Sequence, residues 1–141
     1  MFHLQGHRGA RGVHPENTLP SFEAAFDAGV SSIETDLHLT RDGVVVLHHN
    51  EMLDDSPGTL IRHIALADLR RQRADRNSDP LRFPHQKPLI TPLAARFAER
   101  HGLHPYGIPT LAELLRIARS AFLSGRVAPP PAAQPMAAPP A

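Results

Sequence analysis

Residues 32–39 and 44–48 form two apolar, strand-like runs separated only by Thr40-Arg41-Asp42-Gly43. That spacing constrains the fold more than any other feature of the chain. A parallel pair needs a crossover of a dozen or more residues, so these runs can pair only as an antiparallel hairpin. Upstream, residues 2–6 read as a short strand that runs into the loop Gly6-His7-Arg8-Gly9. Asn17-Thr18-Leu19-Pro20 reads as a helix entrance, with Asn17 or Thr18 as the cap. Leu19, Phe22, Ala25 and Phe26 keep helical spacing, and Gly29 suits the stop. The chain therefore opens strand, helix, strand, and then folds back as a hairpin. The fold class is α/β.

The turn allows two hairpin registers. With Arg41-Asp42 as the loop, Leu37 faces Val46 and Glu34 faces His49. With Asp42-Gly43 as the loop, Asp36 faces His49. In both, His49 shares a face with Glu34 and Asp36, with opposed Cβ atoms ~4.5–5.5 Å apart.

Farther along, residues 66–71 are good helix formers. Residues 72–92 carry Pro80, Pro84, Pro88 and Pro92 and read as irregular. A helix from Thr91 or Pro92 to His101 is closed by Gly102, and Thr110 with Glu113 forms a capping box for the next helix. Leu111, Leu114, Leu115, Ala118 and Phe122 form that helix's expected apolar face. Residues 126–141 hold six Pro and six Ala, which reads as a disordered, partly polyproline-II tail. Pro130 and Pro131 lack the basic flanks that an SH3-type ligand would want.

Charge is split along the chain. Residues 1–59 hold three Arg and nine acids; residues 60–141 hold eleven Arg, one Lys and five acids. The acidic front half argues against a nucleic-acid binder, which would carry a basic stripe. Cysteine is absent, which excludes disulfides, thiolate-bound zinc and thiol catalysis. No apolar run approaches the ~20 residues needed to span a bilayer. The N-terminus lacks the basic and apolar regions of a signal peptide, so the expected address is cytoplasmic.

Four clusters in the front half can do chemistry. His7-Arg8 follows a strand, where α/β folds bind ligands, and an Arg fork suits phosphate; a plain surface turn would look the same. Glu34 and Asp36, two apart, read either as a solvated strand face or as ligands for a hard cation such as Mg²⁺ or Ca²⁺. Of His48 and His49, the hairpin selects His49 to join the acids, leaving His48 as a packed or surface residue. Glu16 can anchor Arg8 while Asn17 and Thr18 cap the helix. Two histidines for proton transfer, one Arg for an anion and two carboxylates for a metal make a kit for hydrolysing a phosphate ester.

His7-Arg8-Gly9, Pro15-Glu16-Asn17-Thr18, Ile33-Glu34-Thr35-Asp36, Thr40-Arg41-Asp42-Gly43 and Val45-Val46-Leu47-His48-His49, in this order and spacing, resemble the N-terminal signature of the glycerophosphodiester phosphodiesterases. Ile108-Pro109-Thr110-Leu111-Ala112-Glu113 is similar to the family's later helix entrance. The resemblance implies a TIM (β/α)₈ barrel with a small insertion, here about residues 44–106, within a domain over residues 1–125. It implies His7 and His49 as the acid–base pair, Arg8 as the phosphate contact, and Glu34 and Asp36 as ligands of a divalent cation, Mg²⁺ or Ca²⁺. The implied reaction is hydrolysis of a glycerophosphodiester to glycerol 3-phosphate and an alcohol. A phosphoinositide or sphingolipid diester is the alternative substrate.

Two departures accompany the resemblance. Asn50 stands where the family usually has Asp, and no acid follows Glu113. A TIM barrel needs about 250 residues, so the expectation is the N-terminal portion of a barrel, incomplete, with an incomplete metal site. Such a chain is expected to be marginally stable, with the Phe22/Phe26 and Leu111/Leu114/Leu115/Phe122 faces uncovered and self-association as the route to covering them. An inactive remnant or interaction protein is the alternative to an enzyme.

Overall fold

The computed structural model describes residues 2–125; the Pro/Ala-rich tail lies outside them. Strand β1 (Gln5–His7) leads through helix α1 (Leu19–Asp27) to β2 (Ser32–Glu34), which pairs with it in parallel. The register sets Gln5 beside Ser32, Gly6 beside Ile33 and His7 beside Glu34. Side chains alternate across a strand. Gly6 and Ile33 therefore point to the helix layer, where a Cβ on Gly6 would lie 3.1 Å from Ala25 Cβ. His7 and Glu34 share the opposite face.

Residues 32–39 are not one strand. The chain breaks at Thr35-Asp36, and β3 (Leu37–Leu39) joins a second sheet with β4 (Val45–Leu47). The pairing is antiparallel, as the turn length requires, but its register falls midway between the two expected. Leu37 faces Leu47 and Leu39 faces Val45. The cause is a three-residue loop. Thr40 N–H donates to Val44 O (2.9 Å) and Val44 N–H to Thr40 Oγ1 (2.9 Å), while Gly43 takes φ 82°. Glycine at the left-handed position closes such loops. His48 N–H donates to Asp36 O (3.1 Å), so His48 rather than His49 lies across from Asp36.

β4 explains its unbroken Val-Val-Leu run, because both its faces are buried. Leu47 joins a core of Leu19, Phe22, Ala25, Phe26, Leu114, Ile117 and Ala121. Val46 joins a second core of Leu53, Ile61, Leu69 and Ile108. Strands β5 (Met52–Leu53) and β6 (Ser56–Leu60) form a bulged hairpin that a sequence rich in Asp, Pro and Gly hides. Short α2 (Leu66–Leu69) begins where Leu66 N–H donates to Asp42 Oδ1 (3.0 Å). Residues 72–91 contain neither helix nor strand, as their prolines require.

Helices α3 (Pro92–His101) and α4 (Leu111–Leu123) end and begin where expected, on Gly102 at φ 64° and on the Thr110/Glu113 capping box. The expected faces need correction. Phe22 and Phe26 do not await a missing surface: α3 and α4 cover α1 directly, and Phe22 is fully buried. On α4 the buried stripe is Leu114, Ile117 and Ala121, whereas Leu115 and Phe122 are exposed. One residue is 100° of helix rotation, so a stripe centred on Leu114 turns Leu115 away.

Candidate active site

The first loop builds the site. Arg8 N–H donates to Glu34 O (2.8 Å), extending the β1–β2 ladder by one bond. Arg8 then takes φ 54°, a left-handed conformation costly for a residue with a Cβ. Its carbonyl is pinned by Asn17 N–H (2.9 Å) and Ser21 Oγ (3.3 Å). Gly9 follows at φ 83°, and a Cβ there would lie 2.5 Å from Ser21 Oγ. Backbone strain of this kind gathers at functional sites. Here it turns Arg8 back toward the strand ends.

Arg8 lies between two carboxylates. Nη1 meets Glu16 Oε2 at 3.1 Å and Nε meets Asp36 Oδ2 at 3.4 Å. Glu16 thus anchors Arg8 as the sequence suggests, and it also holds Arg11 Nε at 2.7 Å. Thr18 caps α1 alone, accepting from Ser21 N–H. Asn17 does something else. At φ 53° and buried, it donates from Nδ2 to Asp36 Oδ2 (3.1 Å) and accepts at Oδ1 from Thr35 Oγ1 (2.8 Å). This clamp holds the chain open where the expected long strand breaks.

His7 Nε2 lies 3.5 Å from Glu34 Oε2, as their neighbouring places in a parallel register dictate. His49 is exposed and pairs through Nδ1 with Asn50 Oδ1 (2.8 Å), so the Asn at this departure orients the imidazole. His48 is buried, with Nδ1 2.8 Å from Asn50 O and Nε2 3.5 Å from Asp54 Oδ2. A cleft of about 280 Å³ is lined by Arg8, Arg11, Glu16, both histidines 48 and 49, Asn50, Asp54, Ser78 and Asp79. His49 therefore reaches the Arg8 cleft through the bend after β4, not through the hairpin face that the expected register supplied.

Arg11, Asn17, Asp54, Ser78 and Asp79 were not legible as site residues. Arg11 lies in the same glycine-bounded loop as Arg8, three residues on, and that spacing was the available signal. Ser78 and Asp79 come from the irregular segment. That segment also secures the loop: Arg11 stacks 4.7 Å over Phe83, Gln86 Nε2 donates to Arg11 O (2.7 Å), and Lys87 N–H donates to Val13 O (2.9 Å).

For a divalent cation the fit is partial. Glu34 Oε2 is buried without a hydrogen bond, the condition of a carboxylate oxygen suited to a hard cation. Asp36 spends Oδ2 on Arg8 and Asn17. Among the described residues no three His, Asp or Glu side chains converge as a metal site. Among them, too, no helix is long and apolar enough to cross a membrane.

The pattern of the glycerophosphoryl diester phosphodiesterase family matches residues 7–135. The chain is 34% identical over 125 residues to glycerophosphodiester phosphodiesterase domain-containing protein 4 of Macaca fascicularis, covering 82% of this chain and 20% of that protein. The structure superposes with a TM-score of 0.67 on a Silicibacter pomeroyi protein described as a phosphodiesterase of this type, at 30% identity, over 89% of this chain and 42% of that one. It also matches an Oleispira antarctica phosphodiesterase solved with the product sn-glycerol-3-phosphate, at TM-score 0.61 and 27% identity, over 86% and 41% of the two chains. The chain thus spans less than half the length of each of these relatives. Its small sheets and helices are part of an α/β barrel of the TIM type. The strained His7-Arg8-Gly9 loop, its Glu16 anchor and the pattern match across most of the sequence have one source: this chain belongs to the glycerophosphoryl diester phosphodiesterase family.

Proposed function

We propose that the Arg8 cleft is a phosphodiester-hydrolysing site for glycerophosphodiesters, with His7 and His49 moving protons. The observation that carries this reading is that Arg8 and His49 line one cleft while His7 and Glu34 sit side by side at the adjoining strand ends. Arg8 supplies a fixed guanidinium to a phosphoryl group, held in place by Glu16 and Asp36. With Nδ1 of His49 bonded to Asn50, Nε2 is the nitrogen left to exchange a proton. The reaction forms a bond from the substrate's glycerol hydroxyl to phosphorus and breaks the bond to the alcohol. Water then opens the cyclic ester. One histidine accepts the hydroxyl proton and the other donates to the departing alcohol. Glu34, whose Oε2 accepts no hydrogen bond, and Asp36 would hold a divalent cation, Mg²⁺ or Ca²⁺. When bound, it would neutralise charge on the phosphoryl oxygens.

The test is alcohol release from glycerophosphocholine by the chain with Mg²⁺ or Ca²⁺. His7→Ala and His49→Ala should each reduce turnover by roughly 10²–10⁴-fold, while His48→Gln retains most of it. A chelator should abolish it. Loss in His48→Gln with activity kept in His49→Ala would transfer the acid–base role to His48. A folded chain with no turnover in either metal would favour the second reading, a non-catalytic interaction protein.

A further inference from the structure

A second cleft, of about 480 Å³, opens between α3 and α4, and it shares no residue with the Arg8 cleft. Its walls are Arg96 and Arg100 from α3 and Arg116 and Ser120 from α4, over a floor of Phe97 and Ile117. Arg119 lines an adjoining hollow with Arg116 and Ser120. Arg96 and Arg100 are four residues apart, and so are Arg116 and Ser120, so each pair projects from one side of its helix. All four arginines are exposed, and none makes an ion pair or side-chain hydrogen bond among the described residues. Elsewhere most arginines do: Arg8, Arg11, Arg70, Arg71, Arg73 and Arg76 each meet a carboxylate.

Like charges at this spacing oppose one another, and a helix pair gains nothing from holding them together. An anion in the cleft reverses that cost. Guanidinium forks match oxyanions bidentately, and three of them exceed what one carboxylate can accept. A phosphomonoester offers three terminal oxygens and nearly two negative charges. The cleft is of small-molecule size, and its aromatic and aliphatic floor suits an apolar substituent rather than a bare ion. We propose that the α3–α4 cleft is a second anion site, taking a phosphomonoester dianion carried on an apolar group. A soluble organophosphate and the headgroup of a phosphatidate-type lipid share that chemistry.

The experiment uses the full chain. Phenyl phosphate is titrated while backbone amide resonances are followed, and residues 96–100 and 116–120 report this cleft separately from the Arg8 cleft. Vesicles of phosphatidylcholine with and without phosphatidate form the second arm, read by flotation. Shifts at both segments are expected. The affinity read there should fall roughly tenfold or more in Arg96→Gln/Arg100→Gln/Arg116→Gln, while Arg62→Gln, an exposed arginine elsewhere, leaves it unchanged. Saturable phenyl phosphate binding without phosphatidate-dependent flotation assigns a soluble ligand. Flotation that requires phosphatidate and these arginines assigns the lipid. Absence of both, an unchanged triple variant, or an equal loss in Arg62→Gln would overturn the proposal.

Discussion

Asn17 is the residue on which the geometry of the site most depends, and its substitution separates backbone from side-chain effects. It holds φ 53° and makes two side-chain hydrogen bonds, to Thr35 and Asp36. Alanine removes both bonds, at about 1 kcal/mol each, and adds about 1 kcal/mol of left-handed strain. Asn17→Ala should therefore cost about 3 kcal/mol. Asn17→Gly relieves the strain but not the lost bonds, and should cost about 2 kcal/mol. Asn17→Asp keeps the backbone preference and the acceptor for Thr35, but sets a carboxylate against Asp36 where Nδ2 now donates at 3.1 Å. Two charges ~4 Å apart repel by about 4 kcal/mol at an effective dielectric of 20. Protonation of either carboxyl relieves that repulsion. The deficit of Asn17→Asp should accordingly shrink as pH falls through the acidic range. Thermal unfolding followed by circular dichroism reads all three, at roughly 4 °C per kcal/mol for a chain of this size. Glycine as costly as alanine would show that the left-handed backbone stores no strain. A pH-independent Asn17→Asp deficit would show that Asp36 does not face this side chain.

Other outcomes follow from the same contacts. Burial lowers the pKa of His14, with Glu23 opposing, and its Nδ1 faces the Tyr106 hydroxyl at 3.2 Å, which itself donates to Leu89 O. The fold thus favours neutral His14: its contribution is present above the unfolded pKa of ~6.5 and is lost as pH falls below it. Melting temperature should drop from pH 7 to pH 5, and less so in His14→Gln. Glu113 is buried, accepts from Arg70 at 2.7 and 3.4 Å, and closes the α4 capping box. Glu113→Ala should cost about 2–4 kcal/mol by urea denaturation, somewhat below the ~3–5 kcal/mol of a fully buried pair because Arg70 remains partly solvated; Glu113→Gln should cost less. Leu37, Leu39, Leu115, Phe122 and Leu123 are exposed, so light scattering should show mass rising with protein concentration, and Leu115→Lys/Phe122→Lys should reduce the rise.

Local signals were legible wherever one residue type has one use. Pro92 and Gly102 bound α3, and Thr110 with Glu113 starts α4. These depend on φ restrictions and capping bonds that act within four residues. The α4 face is ambiguous in the sequence because Leu111, Leu114, Leu115, Ala118 and Phe122 all fit a broad helical stripe; which half is buried depends on where α1 lies. The hairpin register is ambiguous by a single residue, since Thr40-Arg41-Asp42-Gly43 suits a loop of two or three. Only the Thr40 hydroxyl, bonded to Asp42 Oδ1 and accepting from Val44 N–H, decides between them.

That one-residue slip shows how the site is specified. A shift of one in a hairpin exchanges the faces of His48 and His49, yet His49 still lines the Arg8 cleft because the chain leaves the ladder after His48 and bends. Strand pleating is therefore not what delivers the second histidine. Its position is set by local bonds from Asn50, whose side chain takes His49 and whose carbonyl takes His48. The opposite wall is set by contacts across long sequence distances. Phe83 under Arg11, Gln86 on the Arg11 carbonyl and Ser78 on Glu16 fasten an irregular, proline-rich segment to the loop that holds Arg8. Such a segment has no periodicity to read, because its order comes from the loop it covers. The strained backbone at Arg8 and Asn17 needs that outside support, and a stretch without secondary structure of its own supplies part of it.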